Sequence, residues 1–576
     1  MTLTVDKAQA QIRELVAKAA QSAFPDAELA AFNVEVPADK SNGDYSTNAA
    51  MVNARTFRLA PRKIAEQLTA QMDLSASYFS RVEVAGPGFI NFFLSPAFYA
   101  DVLLDVQQAG ENYGRSDYGK GKKVNVEFVS ANPTGPMHMG NARGGALGDC
   151  LAAVLDYAGY EVSREFYVND AGNQIDKFAL SLDIRYQQIF RGEDAVTLPE
   201  DSYHGADILE RAQEFADIYG DSYLAKSEEE RRAALVAFAL PKNIANMKSA
   251  MKKYRIAYDT WFSELTLHEG GELQEVIDLL TARGYTYEQD GALWYKNKEI
   301  QTQLLQKEGK DQAYIDKLEL KDDVLIRANG NPTYFAADIA YHRNKLEKRG
   351  FDRAIDVWGA DHHGHVARMK GAMYAIGIDP DRLDILLMQF VRLIRDGEVV
   401  KMSKRTGKAI TLTDLLDEVP IDAVRFMFNL REPGSLMDFD LDLAVQQSAQ
   451  NPVYYCQYAH ARICSILAKL ASEGKKARPA DRETLECLTA PEETALIRYL
   501  STLPEVIINA AKNYDPAKVT HYAIELATLF HKFYNACRVN VEDETLLQAR
   551  LTLCLCVRDT LKSILTMLNV GAPEKM

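Results

Sequence analysis

Hydrophobic and polar positions along this chain change their period twice, and the changes mark three regions. In 1–115, apolar residues recur at helical steps through Ala8–Ala23 and again through Ser46–Leu59, and Pro61 suits the first position of a third helix. Arg81-Val-Glu-Val-Ala85 alternates like a strand, and Gly86-Pro-Gly88 reads as a turn before a second strand, Phe89–Leu94. This predicts a small α+β unit, followed by a glycine-rich linker at Tyr113–Gly121. In 116–413, strand and helix patterns alternate as in a doubly wound sheet. Val124-Asn-Val-Glu-Phe-Val129 is an apolar strand, and Ala142–Tyr157 is a helix rich in small residues. The alternation is interrupted at about 181–321 by charged helical sequence, with a hairpin pattern at Tyr285–Tyr295 around Asp290-Gly291, which reads as an insertion. It resumes at Ile355-Asp-Val-Trp358, and Asp396-Gly397 between Phe390–Ile394 and Glu398–Val400 signals a type I′ hairpin. In 414–576 nearly every pattern is helical, clearest at Leu441–Leu470, Ala495–Lys512, Ala517–Cys537 and Thr545–Leu568, which predicts an all-α bundle. The predicted fold class is therefore multidomain α/β.

Composition narrows the class. The chain has 576 residues, 47% hydrophobic and 26% charged, as expected of ordinary globular domains. No apolar run reaches the ~20 residues that span a bilayer, and the N-terminus lacks a basic segment followed by an apolar one, so neither a membrane anchor nor a secretory signal is expected. Seven scattered cysteines without a C-x-x-C pair predict reduced thiols in a cytoplasmic protein, with no structural zinc. The net charge of −15 argues against indiscriminate polyanion binding but leaves room for a local basic face.

The chemistry concentrates in two segments. Ala131-Asn-Pro-Thr-Gly-Pro-Met-His138-Met-Gly140-Asn141 lies between a strand and a helix, where free N–H groups and the helix dipole favour phosphate. It carries neither a G-x-G-x-x-G nor a P-loop pattern, so a dinucleotide fold is not the natural reading. His138 and Asn141 can each donate to a phosphate oxygen, and Gly140 allows close approach to the backbone. About 260 residues later, Lys401-Met402-Ser403-Lys404-Arg405-Thr-Gly407 follows the hairpin. Two ammonium groups beside a hydroxyl and a glycine can grip a polyphosphate and stabilise the charge on departing pyrophosphate. Either segment alone would be an ordinary cap or a solvated basic turn. Together they make a nucleotide site.

The pair resembles the two signatures of class I aminoacyl-tRNA synthetases, whose catalytic domain is Rossmann-like. The general first signature ends in histidine; Asn141 in that place resembles the bacterial arginyl branch. The run Val126-Glu-Phe-Val-Ser-Ala-Asn-Pro-Thr-Gly-Pro-Met-His-Met-Gly-Asn-Ala-Arg-Gly144 is similar to that of bacterial arginyl-tRNA synthetases. So are Asn42-Gly-Asp-Tyr45, Ala85-Gly-Pro-Gly-Phe-Ile-Asn-Phe92, Tyr258-Asp-Thr-Trp-Phe-Ser-Glu264, Trp358-Gly-Ala-Asp-His-His-Gly-His365 and Asp422-Ala-Val-Arg425.

The resemblance implies an arginine–tRNA ligase that uses L-arginine, ATP with Mg²⁺ and tRNA(Arg), acting as a monomer. It makes 1–115 a tRNA-contacting unit, 116–413 the catalytic domain and 414–576 the anticodon-binding domain. A permanently charged guanidinium calls for carboxylates. By resemblance Glu127, Tyr334 and Asp338 contact the arginine side chain, Asn132 its backbone, and His362 falls near another polar contact. Tyr334 and Asp338, four residues apart, share one helical face. ATP would be held by His138, Gly140, Asn141, Lys401, Met402, Ser403 and Lys404, with catalysis resting on His138, Asn141, Lys401 and Lys404. Arg55, Arg58 and Arg62 near the Pro61 break are candidate tRNA-phosphate contacts, and Tyr458, Arg462 and Arg538 candidate contacts to splayed bases. The histidines of Asp361–His365 invite a metal reading, but no cysteine or H-E-x-x-H helix accompanies them, so no metal is expected. Rival readings are a class I synthetase for another amino acid, which two carboxylates disfavour, and a catalytically silent tRNA-binding paralogue, which intact Lys401, Lys404, His138 and Gly140 disfavour.

Overall fold

A computed structural model describes residues 3–402 and 410–576. Its centre is a five-stranded parallel sheet made of β1 (Lys123–Glu127), β2 (Glu161–Val168), β3 (Thr260–Ser263), β4 (Arg353–Gly359) and β5 (Leu383–Met388), in the order β5-β4-β1-β2-β3. Chain order reverses at β1, so the crevice beyond the C-terminal end of β1 is a topological switch point, where open α/β sheets bind ligands.

Both faces of the sheet are covered, which is why its strands carry few exposed residues. Val124, Val126, Phe166, Ile355 and Val357 pack toward α1 (Gly140–Tyr157) in one core. Ala354 and Leu383 join α2 (Tyr334–Arg343) and α3 (His363–Ile376) in a second core on the opposite face. The small residues of α1 let it settle close to the sheet: a Cβ on Gly148 would lie 2.2 Å from the Phe128 ring.

The long insertion read from the sequence as one excursion is divided in the structure. Helices Asn173–Arg191, Ala206–Tyr219 and Glu228–Lys253 form a subdomain with its own core of Phe178, Leu182, Tyr186, Phe215 and Leu235. The chain then returns to the sheet as β3, which pairs with β2 from Glu165↔Thr260 to Val168↔Ser263. The remainder forms helices and a three-stranded antiparallel sheet containing the hairpin Thr286–Gln289/Ala292–Tyr295. At only four residues, β3 carries too little periodicity to stand out from its helical surroundings.

The N-terminal unit is an antiparallel sheet, with Thr4–Ala23, Pro61–Ala70 and Pro96–Ala109 as its longest helices. Pro61 occupies the first turn of its helix. Ser46–Leu59 is not one helix: Tyr45–Thr47 pairs with Phe89–Leu94, and only the short helices Ala49–Val52 and Ala54–Phe57 follow. The C-terminal bundle contains Pro452–Ser472, Pro491–Leu500, Leu503–Asn513, Ala517–Ala536 and Glu544–Met567. The pattern at Leu441–Leu470 breaks before Pro452 and that at Ala495–Lys512 near Pro504, each proline taking the first turn of the helix that follows, where its missing N–H leaves no helical bond unmade. In the hairpin before Lys401, Asp396 and Gly397 both take positive φ (52° and 79°), as a type I′ turn requires.

Buried Arg425 joins the bundle to the catalytic sheet. Its guanidinium donates to the carbonyls of Leu568 (2.9 Å) and Tyr254 (3.0 Å) and pairs with Asp149 of α1. Among the described residues no helix is long and apolar enough to cross a membrane.

Candidate active site

Immediately after β1 the backbone turns through two consecutive left-handed residues, Val129 (φ 74°) and Ser130 (φ 31°). For a β-branched residue such as valine this is a costly conformation. Side chains around the turn hold it. Ser130 Oγ donates to Glu127 (2.8 Å) and accepts from the backbone N–H of Tyr167 (3.1 Å).

The loop then runs to α1, whose first turn is capped by its own side chains. Asn141 Oδ1 accepts from the His138 backbone N–H (3.1 Å), and His138 Nδ1 accepts from the Gly140 N–H (3.1 Å). A neutral imidazole that accepts at Nδ1 carries its proton on Nε2. Burial lowers the His138 pKa and favours that neutral form. His138 Nε2–H and Asn141 Nδ2 are thus the donors left for a ligand. A Cβ on Gly140 would stand 2.8 Å from the His138 ring, so glycine is what allows the ring to sit there.

Two cavities meet at this cap. The first, about 450 Å³, is lined by Ser130, Asn132, Thr134, His138, Asn141 and Tyr203. The second, about 610 Å³, is lined by His138, Gly140, Asn141, His362, Phe390 and Lys401, among others. His138 and Asn141 border both. The segment that follows the second signature is joined to the first. Met139 N–H donates to Ile410 O (3.0 Å), and Leu412 N–H donates to Met137 O (2.9 Å). Lys401 lines the second cavity and Met402 is exposed, whereas Ser403 and Lys404 lie outside the described residues.

The expected carboxylate wall lies at the start of α2. Tyr334 is partly exposed, and burial of its ring raises its hydroxyl pKa, with Gln174 as a hydrogen-bonding neighbour. Asp338 accepts from His365 Nε2 (2.9 Å), and Arg368 donates to His365 Nδ1 (2.7 Å) and to Asp323 (3.0 Å). His365 is therefore the histidine that orients Asp338. His362 lies in the second cavity against Trp358, with ring centroids 5.9 Å apart. Among the described residues no group of three or more potential metal ligands assembles.

Sequence reasoning missed several residues of this wall. Glu264, just after β3, is buried; desolvation, with Asp338 and Asp170 nearby, raises its carboxyl to about 7. Tyr167 lies among Glu264, Asp338 and Glu127, and its hydroxyl is buried without a hydrogen-bond partner of good geometry.

Below the wall, Asp356 of β4, Glu127 of β1 and Glu165 of β2 occupy one register row across the sheet. All three face α2 and its continuation through the π-turn Asn344–Lys348. Lys345, fully buried, donates to Glu127 (2.5 Å) and Asp356 (2.8 Å). His342 pairs with Asp356 (2.6 Å), while Arg349 and Tyr341 bond Glu165. Burial disfavours the Lys345 ammonium, but the two carboxylates outweigh it and hold its pKa above the ordinary value. Burial likewise opposes the Asp356 charge, yet Lys345 and His342 bring that carboxyl to about 2. The sequence signal for the row is three acidic residues inside apolar strands; their alignment appears only in the register.

Arg55 and Arg58 are exposed, and Arg62 bonds Glu66 (3.2 Å) and the Gly86 carbonyl (3.2 Å). In the bundle, Tyr458 is exposed and lies parallel to Tyr454, with centroids 6.5 Å apart. Arg462 stacks over Tyr534 at 4.2 Å and reaches His531, so two helices share one aromatic-basic face. Arg538 is exposed beyond the end of the second of these helices. His460 and Phe533, on the same two helices, are buried core residues.

Comparison with known proteins agrees with this layout. Family models described as the arginyl tRNA synthetase N terminal domain, the tRNA synthetases class I (R) catalytic domain and the DALR anticodon binding domain match residues 10–94, 104–465 and 456–576. An arginine–tRNA ligase of Acetivibrio thermocellus is 52% identical over 581 aligned residues, covering all of both chains. The chain belongs to the arginyl-tRNA synthetase family. A second arginine–tRNA ligase, from Caldanaerobacter subterraneus, is 54% identical over 99% of each chain. The solved Thermus thermophilus arginyl-tRNA synthetase superposes with a TM-score of 0.71 at 22% identity over 98% of this chain and all of that one, a likeness of fold. Within the arginyl-tRNA synthetase framework, the two joined cavities lie at the switch point of the class I catalytic domain.

Proposed function

We propose that this chain is an arginine–tRNA ligase that activates L-arginine with MgATP and transfers the arginyl group to the 3′-terminal adenosine of tRNA(Arg). A carboxylate oxygen of arginine attacks the α-phosphorus, forming arginyl-adenylate and releasing pyrophosphate. The 2′-hydroxyl of the tRNA then attacks the arginyl carbonyl carbon and AMP departs. Arginine is already ionised as a nucleophile, so the protein's work is positioning and charge stabilisation.

The observation that carries this reading is the shared wall between the two cavities: Asn132 borders one, Lys401 the other, and His138 and Asn141 border both. Amino acid and nucleotide can then meet where His138 Nε2–H and Asn141 Nδ2 face them. Asp338, oriented by His365, and Tyr334 take the guanidinium; Glu127 stands behind them, and His362 contacts the ligand from the nucleotide side. Gly140 and Met402 complete the nucleotide's bed, and Lys401, with Ser403 and Lys404, neutralises its phosphates. The N-terminal unit, through Arg55, Arg58 and Arg62, and the bundle face of Tyr458, Arg462 and Arg538 meet the tRNA. The enzyme acts as a monomer in the cytoplasm; free, largely buried cysteines suit a reducing compartment.

Arginine-dependent exchange of labelled pyrophosphate into ATP, with cognate tRNA present, tests the reading. Exchange with arginine is expected. Exchange with a different amino acid and none with arginine would overturn it.

A further inference from the structure

We propose that Lys345, acting through Glu127 and Ser130, is a positioning residue that clamps the left-handed Val129–Ser130 turn from which Asn132 and His138 are presented. The inference rests on the arginine-activating reading above.

The atoms form an unbroken chain. Lys345 is completely buried and donates to Glu127 Oε2 and to Asp356 Oδ1. Ser130 Oγ donates to Glu127 Oε1 and itself accepts from Tyr167 N–H. Both oxygens of Glu127 therefore already have donors within the chain. The carboxylate is engaged in supporting the turn and is not free to be the principal guanidinium ligand, a role left to Asp338 on the far side of Tyr167.

The turn needs such support. Val129 and Ser130 are two of only ten non-glycine residues with positive φ among the described residues, and they are consecutive. Conformations of this kind cost about 1–3 kcal/mol each and persist only where the surroundings over-determine them. Everything the two cavities share lies downstream of this turn. If Ser130 relaxed toward ordinary φ, Asn132 and His138 would move together, and the arginine and nucleotide sides would lose alignment at once. Lys345 sits on a π-turn, a distortion of a helix that often re-aims a side chain at a functional site. Here the same segment also carries Asp338 and Tyr334 about two and three turns earlier, so one element sets both the turn and the substrate wall.

The test compares full-length wild type with Ser130→Ala, Glu127→Gln and Lys345→Met in tRNA-dependent pyrophosphate exchange. Each variant is assayed with arginine and with citrulline, the neutral isostere of arginine. Loss of alignment predicts that kcat falls roughly 10- to 100-fold in each variant. The KM values for arginine and ATP should stay within threefold of each other's change, and the arginine-to-citrulline preference should stay as in wild type. In the Glu127→Gln/Lys345→Met double variant, the loss should be no greater than in the worse single variant, because the two act as one unit. Ser130→Ala leaves every buried charge paired, so it decides the matter even if Lys345→Met fails to fold. Unchanged kcat in Ser130→Ala overturns the proposal. So does a tenfold or larger fall in arginine-to-citrulline preference in Glu127→Gln, which would make Glu127 a direct ligand. Wild type that exchanges with an amino acid other than arginine would instead refute the reading on which the proposal rests.

Discussion

Replacing Glu264 by glutamine should stabilise the ligand-free catalytic domain at alkaline pH and leave it unchanged in acid. Glu264 is 3% exposed and stands near two other carboxylates, Asp338 and Asp170. Burial, with their help, raises its pKa from the ordinary 4.5 to about 7. At about 1.4 kcal/mol per tenfold change in proton affinity, the folded state disfavours the ionised carboxyl by roughly 3 kcal/mol. The sign follows from the raised value. Below about pH 4.5 the group is protonated in both states and costs nothing. As pH rises from 4.5 to 7 the unfolded chain ionises first, and stability falls by that amount; above 7 the loss is constant. Glutamine mimics the neutral carboxyl at every pH, so the variant should exceed wild type by up to about 3 kcal/mol at pH 8, with the difference vanishing near pH 4.5. All three tryptophans, Trp261, Trp294 and Trp358, lie in the region matched by the catalytic-domain model. Urea unfolding followed by tryptophan fluorescence therefore reports on that region. Saturating arginine should narrow the gap at pH 8, because a guanidinium at the wall offsets the desolvation of the carboxylate. Equal stabilities at pH 8, or a difference that does not change with pH, would refute the reasoning.

Arg425→Leu should cost about 3–5 kcal/mol, because it strips a fully buried cation from Asp149 and from the Leu568 and Tyr254 carbonyls; a lower thermal midpoint and faster limited proteolysis near Asp422 would show it. Gly148→Ala places a Cβ against the Phe128 ring and should destabilise by ~1–3 kcal/mol, read as a fall in urea midpoint. Tyr458→Ala should raise the KM for tRNA by about tenfold, within the ~1–3 kcal/mol typical of a base stacked on an aromatic ring, while the KM for arginine stays unchanged.

Local pattern carried much of this protein. The alternation of strand and helix in 122–413, the helical periodicity of the last third and the strand–loop–helix around His138 all report interactions among residues close in sequence, so they are visible without a structure. The two signature segments were legible for the same reason, as was the left-handed pair Asp396-Gly397. Where a short element depends on a distant partner, the pattern was too weak: β3 has four residues and is defined by its pairing with β2, and Tyr45–Thr47 by its pairing with Phe89–Leu94.

The site divides along the same line. Residue type and spacing singled out His138, Gly140, Asn141 and Lys401, whose chemistry is written in two short runs. Only the fold could decide that backbone bonds between Met137–Met139 and Ile410–Leu412 tie the first run to the segment following the second. Only the fold could pair His365 with Asp338, since the two lie 27 residues apart on different helices. The acidic row Asp356–Glu127–Glu165 is fixed by the register of three strands drawn from points up to 229 residues apart, as the bond between Lys123 and Asp352 measures. Sequence determined which groups this protein possesses; long-range register and burial determined which of them remain free for a substrate and which, like Glu127, are held by the protein itself.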